Sequence, residues 1–554
     1  MASNKFLTFS IFLISILAWQ GTLLGQNEIN SKRIKKFDSD DGTPYPYMTP
    51  GISSQEIYIQ HDPCLKLSPG NFSHVWRRSW SKTGNLLYTE YDLFLEELSS
   101  YELDISREED IFHLAKRDTF LRVFTSEYDY KRKANHIRMY EFGLKGGKEE
   151  SVQTLWLHPG SYGEFVRHDL SPDGKYLLLY QPFGYKRGVR STYLNELIVN
   201  YEENYSLFSR SGGVKYSVFN LDNTEDVLVD TLSWKDKKSW IGLRTGIDNG
   251  GHVYASLFDR KGTMTIYQKR SDEEKVRELS YDELPSWREL METYSGFQIP
   301  RIGANGKVYI TLTEKIKSGK LRGIKSFRIV TFDFNSGDII TKGEAEITSS
   351  LKVQVNKARQ DFGMRPNKRF DYFQVRDLIE MPDESLILVA QKYILNLPNN
   401  IALDIPKRGN FEEYAEELVI FEFDEEGNPQ QAIIIPSSQR SVTIEERLGI
   451  FYHMEINKET KELKLLTREA SGDRLKGPER LYYRMIDIEK GNYSDRKLIY
   501  KGKRRDQYFL KAYTEWLNED LLSFMVMEGL KGQVYLVTVN VNQEEDENQN
   551  LTGD

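Results

Sequence analysis

A short turn followed by an apolar strand recurs along this chain, and that recurrence limits its fold more than any other feature. The fullest copy is FVRHDLSPDGKYLLLY, from Phe165 to Tyr180: a short strand, the turn Ser171-Pro172-Asp173-Gly174, then an apolar strand. Pro pre-sets the backbone dihedral that a turn needs, and Gly supplies a positive φ without steric cost. Weaker copies are SKTGNLLYTEY from Ser81, DNGGHVYASLF from Asp248, ANGKVYITLT from Ala304, MPDESLILVA from Met381, NKETKELKLLT from Asn457 and LNEDLLSFMVM from Leu517, which makes seven. In KVYITLT, Val308, Ile310 and Leu312 alternate with Tyr309, Thr311 and Thr313, the period of a strand.

Each copy is followed, across a connection of variable length, by another apolar strand that runs into a polar or Gly turn. These are MYEFGLKGG from Met139, LIVNYEENYS from Leu197, MTIYQKRSDEEK from Met264, IVTFDFNSGDII from Ile329, VIFEFDEEGNP from Val419, YRMIDIEKGNY from Tyr483 and YLVTVNV from Tyr535. Four strands per unit, with the variable connection always between the second and third, is the arrangement of a propeller blade. The expected fold class is all-β: a single β-propeller over residues 61–542 with seven four-stranded blades, six or eight being the alternatives. The abundance of Tyr (33) and Phe (28) agrees with a strand-rich chain. Helices are expected only in charged insertions, at Leu95–Lys116, Tyr281–Tyr294 and Phe411–Glu417.

The turn Ser171–Lys175 resembles the TolB-like and WD-like β-propeller repeat. The resemblance implies that such a turn joins the innermost strand of a blade to the second. It also implies that the second-to-third-strand connections and the segments between blades share one face, around the mouth of the central channel.

The N-terminus reads as an export signal over 1–25: Lys5, then the apolar run Phe6–Trp19, then the small residue Gly25. That run is shorter than the ~20 residues needed to cross a bilayer, so export to the periplasm or the exterior is expected, without a transmembrane anchor. Residues 26–60 form an N-terminal segment in which Glu56-Ile57-Tyr58-Ile59 could supply a closing strand, and 543–554 read as an acidic, disordered tail. The single Cys, Cys64, leaves no intrachain disulfide to form.

Reactive constellations are not found in the sequence. It contains no GxSxG elbow, HExxH, GxxxxGK[ST] loop, GxGxxG or CxxC pair. His158, His168 and Asp169 lie close in sequence but are more simply strand residues, and Asp333, Asn335 and Asp338 are more simply a hairpin turn than a calcium loop. No cofactor, metal or catalytic residue is therefore expected. The net charge of −8 argues against nucleic acid as a partner.

Against that acidic background the cations gather on the loop face. After the Ser171 copy the loop QPFGYKRGVRST from Gln181 carries Lys186, Arg187 and Arg190 without an acid, and after the Ala304 copy EKIKSGKLRGIK from Glu314 carries Lys315, Lys317, Lys320, Arg322 and Lys325 against Glu314. The next between-blade segment adds Lys352, Lys357, Arg359, Arg365, Lys368 and Arg369 against Asp361 and Asp371. Clustered charge at a partly enclosed mouth focuses the field. The expectation is a monomeric binding or scaffold module for a protein, peptide or acidic glycan. The alternative is a propeller glycoside hydrolase or polysaccharide lyase using channel carboxylates or Tyr and Arg.

Overall fold

The computed structural model describes the strand framework from Cys64 to Asn542, apart from the connections 184–207, 285–299, 397–411, 442–451 and 470–479 and several shorter ones. The described strands form eight antiparallel sheets in chain order, seven with four or five strands and a last one with three. The seven complete sheets are the blades of a β-propeller: blade 1 (Cys64–Leu103), blade 2 (Asp110–Pro159), blade 3 (Arg167–Ser233), blade 4 (Trp240–Tyr281), blade 5 (Arg301–Glu346), blade 6 (Phe373–Ser441) and blade 7 (Tyr452–Lys501). A three-stranded terminal sheet, Gln507–Asn540, follows them. The signal segment, residues 26–60 and the tail from 543 lie outside the described residues.

Burial on both faces explains why the second strands read as continuous apolar runs. In blade 6, Leu386, Leu388 and Ala390 pack toward blade 5 with Phe327 and Ile329. The intervening Ile387 and Val389 pack toward blade 7 with Leu463, Leu465 and Ile486. All five are completely buried, so each contributes roughly 1.5–3 kcal/mol if it is a full-sized aliphatic. Similar clusters join each successive pair of sheets, from blades 1 and 2 to blade 7 and the terminal sheet.

The turns tie neighbouring blades at a common spacing. The φ angles of Gly174 (70°), Gly251 (74°), Gly306 (75°) and Glu384 (63°) show one left-handed position reused at the end of the first-to-second-strand turn. Glu384 occupies it without the freedom of glycine, and its carboxylate pairs with Lys307 of the previous blade at 2.6 Å. The Asp173 amide donates to Asn249 Oδ1 (2.9 Å), and the Ala304 amide donates to Glu380 Oε2 (2.9 Å), each across a separation of 76 residues. Arg301 and Asp377 are also 76 apart and form an ion pair at 2.5 Å.

Several expectations need correction. The Ser81 copy joins the second and third strands of blade 1, Asn71–Arg77 and Leu86–Asp92, one strand later than the other copies. Blade 2 has no copy at all. The third strand of blade 3 is Gly213–Asn220, where Val214, Tyr216 and Val218 point into the core; Leu197–Ser206 lies outside the described residues. Within Leu95–Lys116 the described residues form two strands, Glu97–Leu103 and Asp110–Lys116, rather than a helix, because Tyr101, Leu103 and Ile105 alternate toward the core as strand residues do. Glu412–Phe423 is one long strand, held by pairing with Leu386–Asn396. Among the described residues the one helix is α1, Ser349–Asp361, capped by Thr348, whose Oγ1 accepts from the Leu351 amide at 3.1 Å.

Candidate functional site

In a four-stranded meander, the second strand ends, the third begins and the fourth ends at the same edge, opposite the first-to-second-strand turns. This edge is the connection face. In blade 3 the residues Lys186, Arg187 and Arg190 lie outside the described part of the connection. Its far end, Phe208–Ser209, pairs with Gly242 and Ile241 on the innermost strand of blade 4, which brings this connection to the inner rim of the face.

The cations of blade 5 are partly neutralised. Lys315 ends the second strand, and Lys317, Lys320 and Arg322 lie outside the described residues. Lys325, half exposed, pairs with Glu344 (3.0 Å) and Glu314 (3.4 Å), and Arg328 pairs with Glu314 at 2.5 Å. The hydrogen bond to Glu344 is the main reason that the Lys325 ammonium is held above its usual range. Glu344 was not visible as a neighbour in the sequence because it comes from the fourth strand.

Between blades 5 and 6 the chain forms α1. Leu351, Val355 and Arg359 face inward, while Lys357 and Val353 face out, Val353 being 69 % exposed. Arg365 is also exposed, whereas Lys368 and Arg369 lie outside the described residues. Lys352, Lys357 and Arg365 form no ion pair among the described residues.

Arg359 differs from its neighbours because it is buried. Its guanidinium bonds Glu417, Glu416 (2.9 Å) and the Arg365 carbonyl (2.7 Å). Two adjacent strand residues can reach one guanidinium because the ladder is irregular here: Gln391 pairs with Leu418 and Tyr393 with Ala415, leaving Lys392 opposite both glutamates. Such a bulge re-aims side chains. Lys392 completes the cluster with a 2.5 Å contact to Glu416. Burial pushes the fully enclosed Glu417 carboxyl up despite Arg359. Burial also acts to raise Glu416, but Lys392 and Arg359 together outweigh it and hold that carboxyl below its usual range. With Glu417 completely enclosed, this pair fastens α1 to blade 6 and offers no surface to a substrate.

A second arginine group, not singled out from the sequence, lies between blades 6 and 7. On the third strand of blade 7, Arg480, Tyr482 and Arg484 are alternate residues and share a face. Arg480 Nη1 is 3.5 Å from the Tyr482 hydroxyl, and the buried Arg484 donates to the Pro436 carbonyl of blade 6 at 3.0 Å. The Arg496 guanidinium lies 4.5 Å from the ring centre of Phe362, the residue capping α1, and 4.9 Å from that of Tyr482. The available sequence signal was the period-two run of cations in RLYYRMID.

His158 and His168 belong to strands of different blades. His158 is on the outermost strand of blade 2 and His168 on the innermost strand of blade 3. Burial lowers the His168 imidazole to about 3, with His113 adding to the effect, and lowers His113 itself to about 4, so both are neutral at ordinary pH.

No protein-family model matches the chain, and no curated protein matches it in sequence. Solved structures do resemble it. A prolyl endopeptidase is 10 % identical with a TM-score of 0.38; the match covers 84 % of this chain and 54 % of that one, so the chain spans about half the length of that enzyme. The polysaccharide lyase Uly1 is 11 % identical with a TM-score of 0.37, the match covering 77 % of this chain and 89 % of the lyase. The Nup133 β-propeller domain of Vanderwaltozyma polyspora is 11 % identical with a TM-score of 0.36, the match covering 77 % of this chain and all of that domain.

Proposed function

We propose that this protein is an exported binding or scaffold module that holds an anionic partner on its connection face. The observation that carries this reading is the contrast within one segment: Arg359 is consumed by Glu416 and Glu417, while Lys352, Lys357 and Arg365 remain unpaired among the described residues. Unneutralised cations beside a channel mouth attract anions and steer their approach. Retention on an immobilised polyanion tests it. The mature protein is expected to bind at low salt and elute as ionic strength rises, because exposed charges are screened. The triple variant K352E/K357E/R365E should bind about tenfold more weakly, a modest loss of about 1.4 kcal/mol. Equal retention of the triple variant and the parent refutes the reading.

Export has its own check. Secreted or periplasmic material should begin near Gln26, because Lys32, Arg33, Lys35 and Lys36 cannot belong to an apolar signal core. N-terminal sequencing that still finds Phe6–Trp19 contradicts cleavage.

A further inference from the structure

We propose that the groove between blades 6 and 7 is a carboxylate-binding site, built by Arg480 and Arg496 around Tyr482, which receives an Asp or Glu side chain from an acidic peptide segment of a partner protein. The proposal rests on the binding-module reading but uses residues outside the surface invoked there.

Three other partly buried arginines of this protein are met by acids. Arg122 meets Glu141 at 2.8 Å, Arg138 meets Glu109 and Glu127 at 2.7 and 2.8 Å, and Arg301 meets Asp377 at 2.5 Å. Arg480 differs from these three. Its contact is the phenol of Tyr482 at a marginal 3.5 Å, its buried Nε has no hydrogen-bond partner, and no carboxylate reaches it among the described residues. A guanidinium presents five donors in a planar fork that matches a carboxylate. One weak contact leaves most of that capacity unused.

Accessibility and pre-organisation point the same way. Arg480 is half-buried at the start of the third strand, hence on the connection face, and Arg496 is exposed. The contacts of Arg496 with the rings of Phe362 and Tyr482 restrain its guanidinium, so less side-chain entropy remains to be lost on binding. Both arginines meet the same ring, Arg480 at its hydroxyl and Arg496 at its face. An anion beside Tyr482 is therefore within reach of two cations. Arg484 below is engaged with blade 6 through Pro436 and stiffens the floor.

The test uses fluorescence anisotropy of a labelled Asp/Glu-rich peptide with the mature protein, alongside an oligo-uronate of similar charge. R480Q is the informative variant, since its one weak contact makes a folding defect unexpected. Thermal melts of R480Q and R496K should match the parent. R480Q is expected to weaken peptide binding by about tenfold or more, as loss of a charge-assisted hydrogen bond does. R496K keeps the charge but loses the stacked fork and should also weaken it. K352E/K357E/R365E should leave the peptide affinity within about twofold, apart from a general salt-sensitive loss. Unchanged peptide affinity in R480Q overturns the proposal even if the polyanion reading survives. So does tighter binding of the oligo-uronate than of the peptide, which would assign the groove to a glycan.

Discussion

Replacing Arg359 with methionine is expected to destabilise the protein by roughly 3 to 5 kcal/mol, the usual cost of leaving one member of a buried ion pair without its partner. The loss falls on Glu417, which is completely enclosed and would lose its guanidinium partner, keeping weaker contacts such as the Asn367 amide at 3.4 Å. The double variant R359M/E417L should recover most of the deficit, because apolar replacement of a whole buried pair is often neutral or better. The two carboxylates titrate in opposite senses. Burial raises Glu417 in the folded state, so its protonation favours folding: that contribution is complete below the unfolded carboxyl pKa and fades as pH rises through the folded value. Glu416 is held down by Lys392 and Arg359, so its contribution is present above the unfolded pKa and fades on acidification. Without Arg359, Glu417 is pushed further toward its protonated form. The R359M deficit should therefore narrow as pH falls toward about 4.3, the ordinary glutamate value. Urea unfolding midpoints of the parent, both single variants and the double variant at pH 7 and pH 5 measure this. A single variant as stable as the parent would show that the cluster does not fasten α1.

The parts of this fold that were legible in the sequence are those in which local chemistry and tertiary role coincide. Gly174 and Gly306 occupy a left-handed backbone position that the turn requires, and both mark true first-to-second-strand turns. The run Leu386–Ala390 shows its double-sided burial directly in composition. Blade 2 was missed because the chain between its first two strands reads Arg117-Asp118-Thr119, with neither Gly nor Pro to announce a turn. Its third strand was visible, at Met139, and was therefore assigned to the preceding unit.

Charge misled the reading in both directions. By charge, Glu412, Glu413, Glu416 and Glu417 read as a helical insertion, but two of them bond α1 across a bulge, where cross-strand pairing overrides helix propensity. By charge, Ser349–Asp361 reads only as a cationic segment. Its helical spacing, Leu351, Val355 and Ala358 on one face after a Thr cap, was present all along. The arginine group at Tyr482 depends on Phe362, distant in sequence, so no local window displays it.

Removing residues 26–60 is expected to abolish cooperative unfolding of the whole propeller, as judged by a broadened transition at lower temperature. The terminal sheet motivates this. Its third strand, Gln533–Asn540, pairs on one side with Leu521–Glu528 and has no described strand on the other. Yet Leu536, Val537, Thr538 and Val539 are at most 5 % exposed, so this stretch of the strand is buried on both faces. Buried amides and carbonyls find partners almost without exception, and each one left unmade costs roughly 1–3 kcal/mol. Several such groups would consume much of a total stability of roughly 5–15 kcal/mol. Glu56-Ile57-Tyr58-Ile59 is an alternating apolar segment that can fill the place. We propose that this segment pairs beside Gln533–Asn540 and so joins the two ends of the chain. Calorimetry decides between the possibilities. If the segment closes the ring, the truncated protein should show a calorimetric enthalpy exceeding the van't Hoff value, the mark of sheets melting in parts. A single sharp transition at the parent's temperature would make residues 26–60 a linker, and the edge of Gln533–Asn540 would then need another partner.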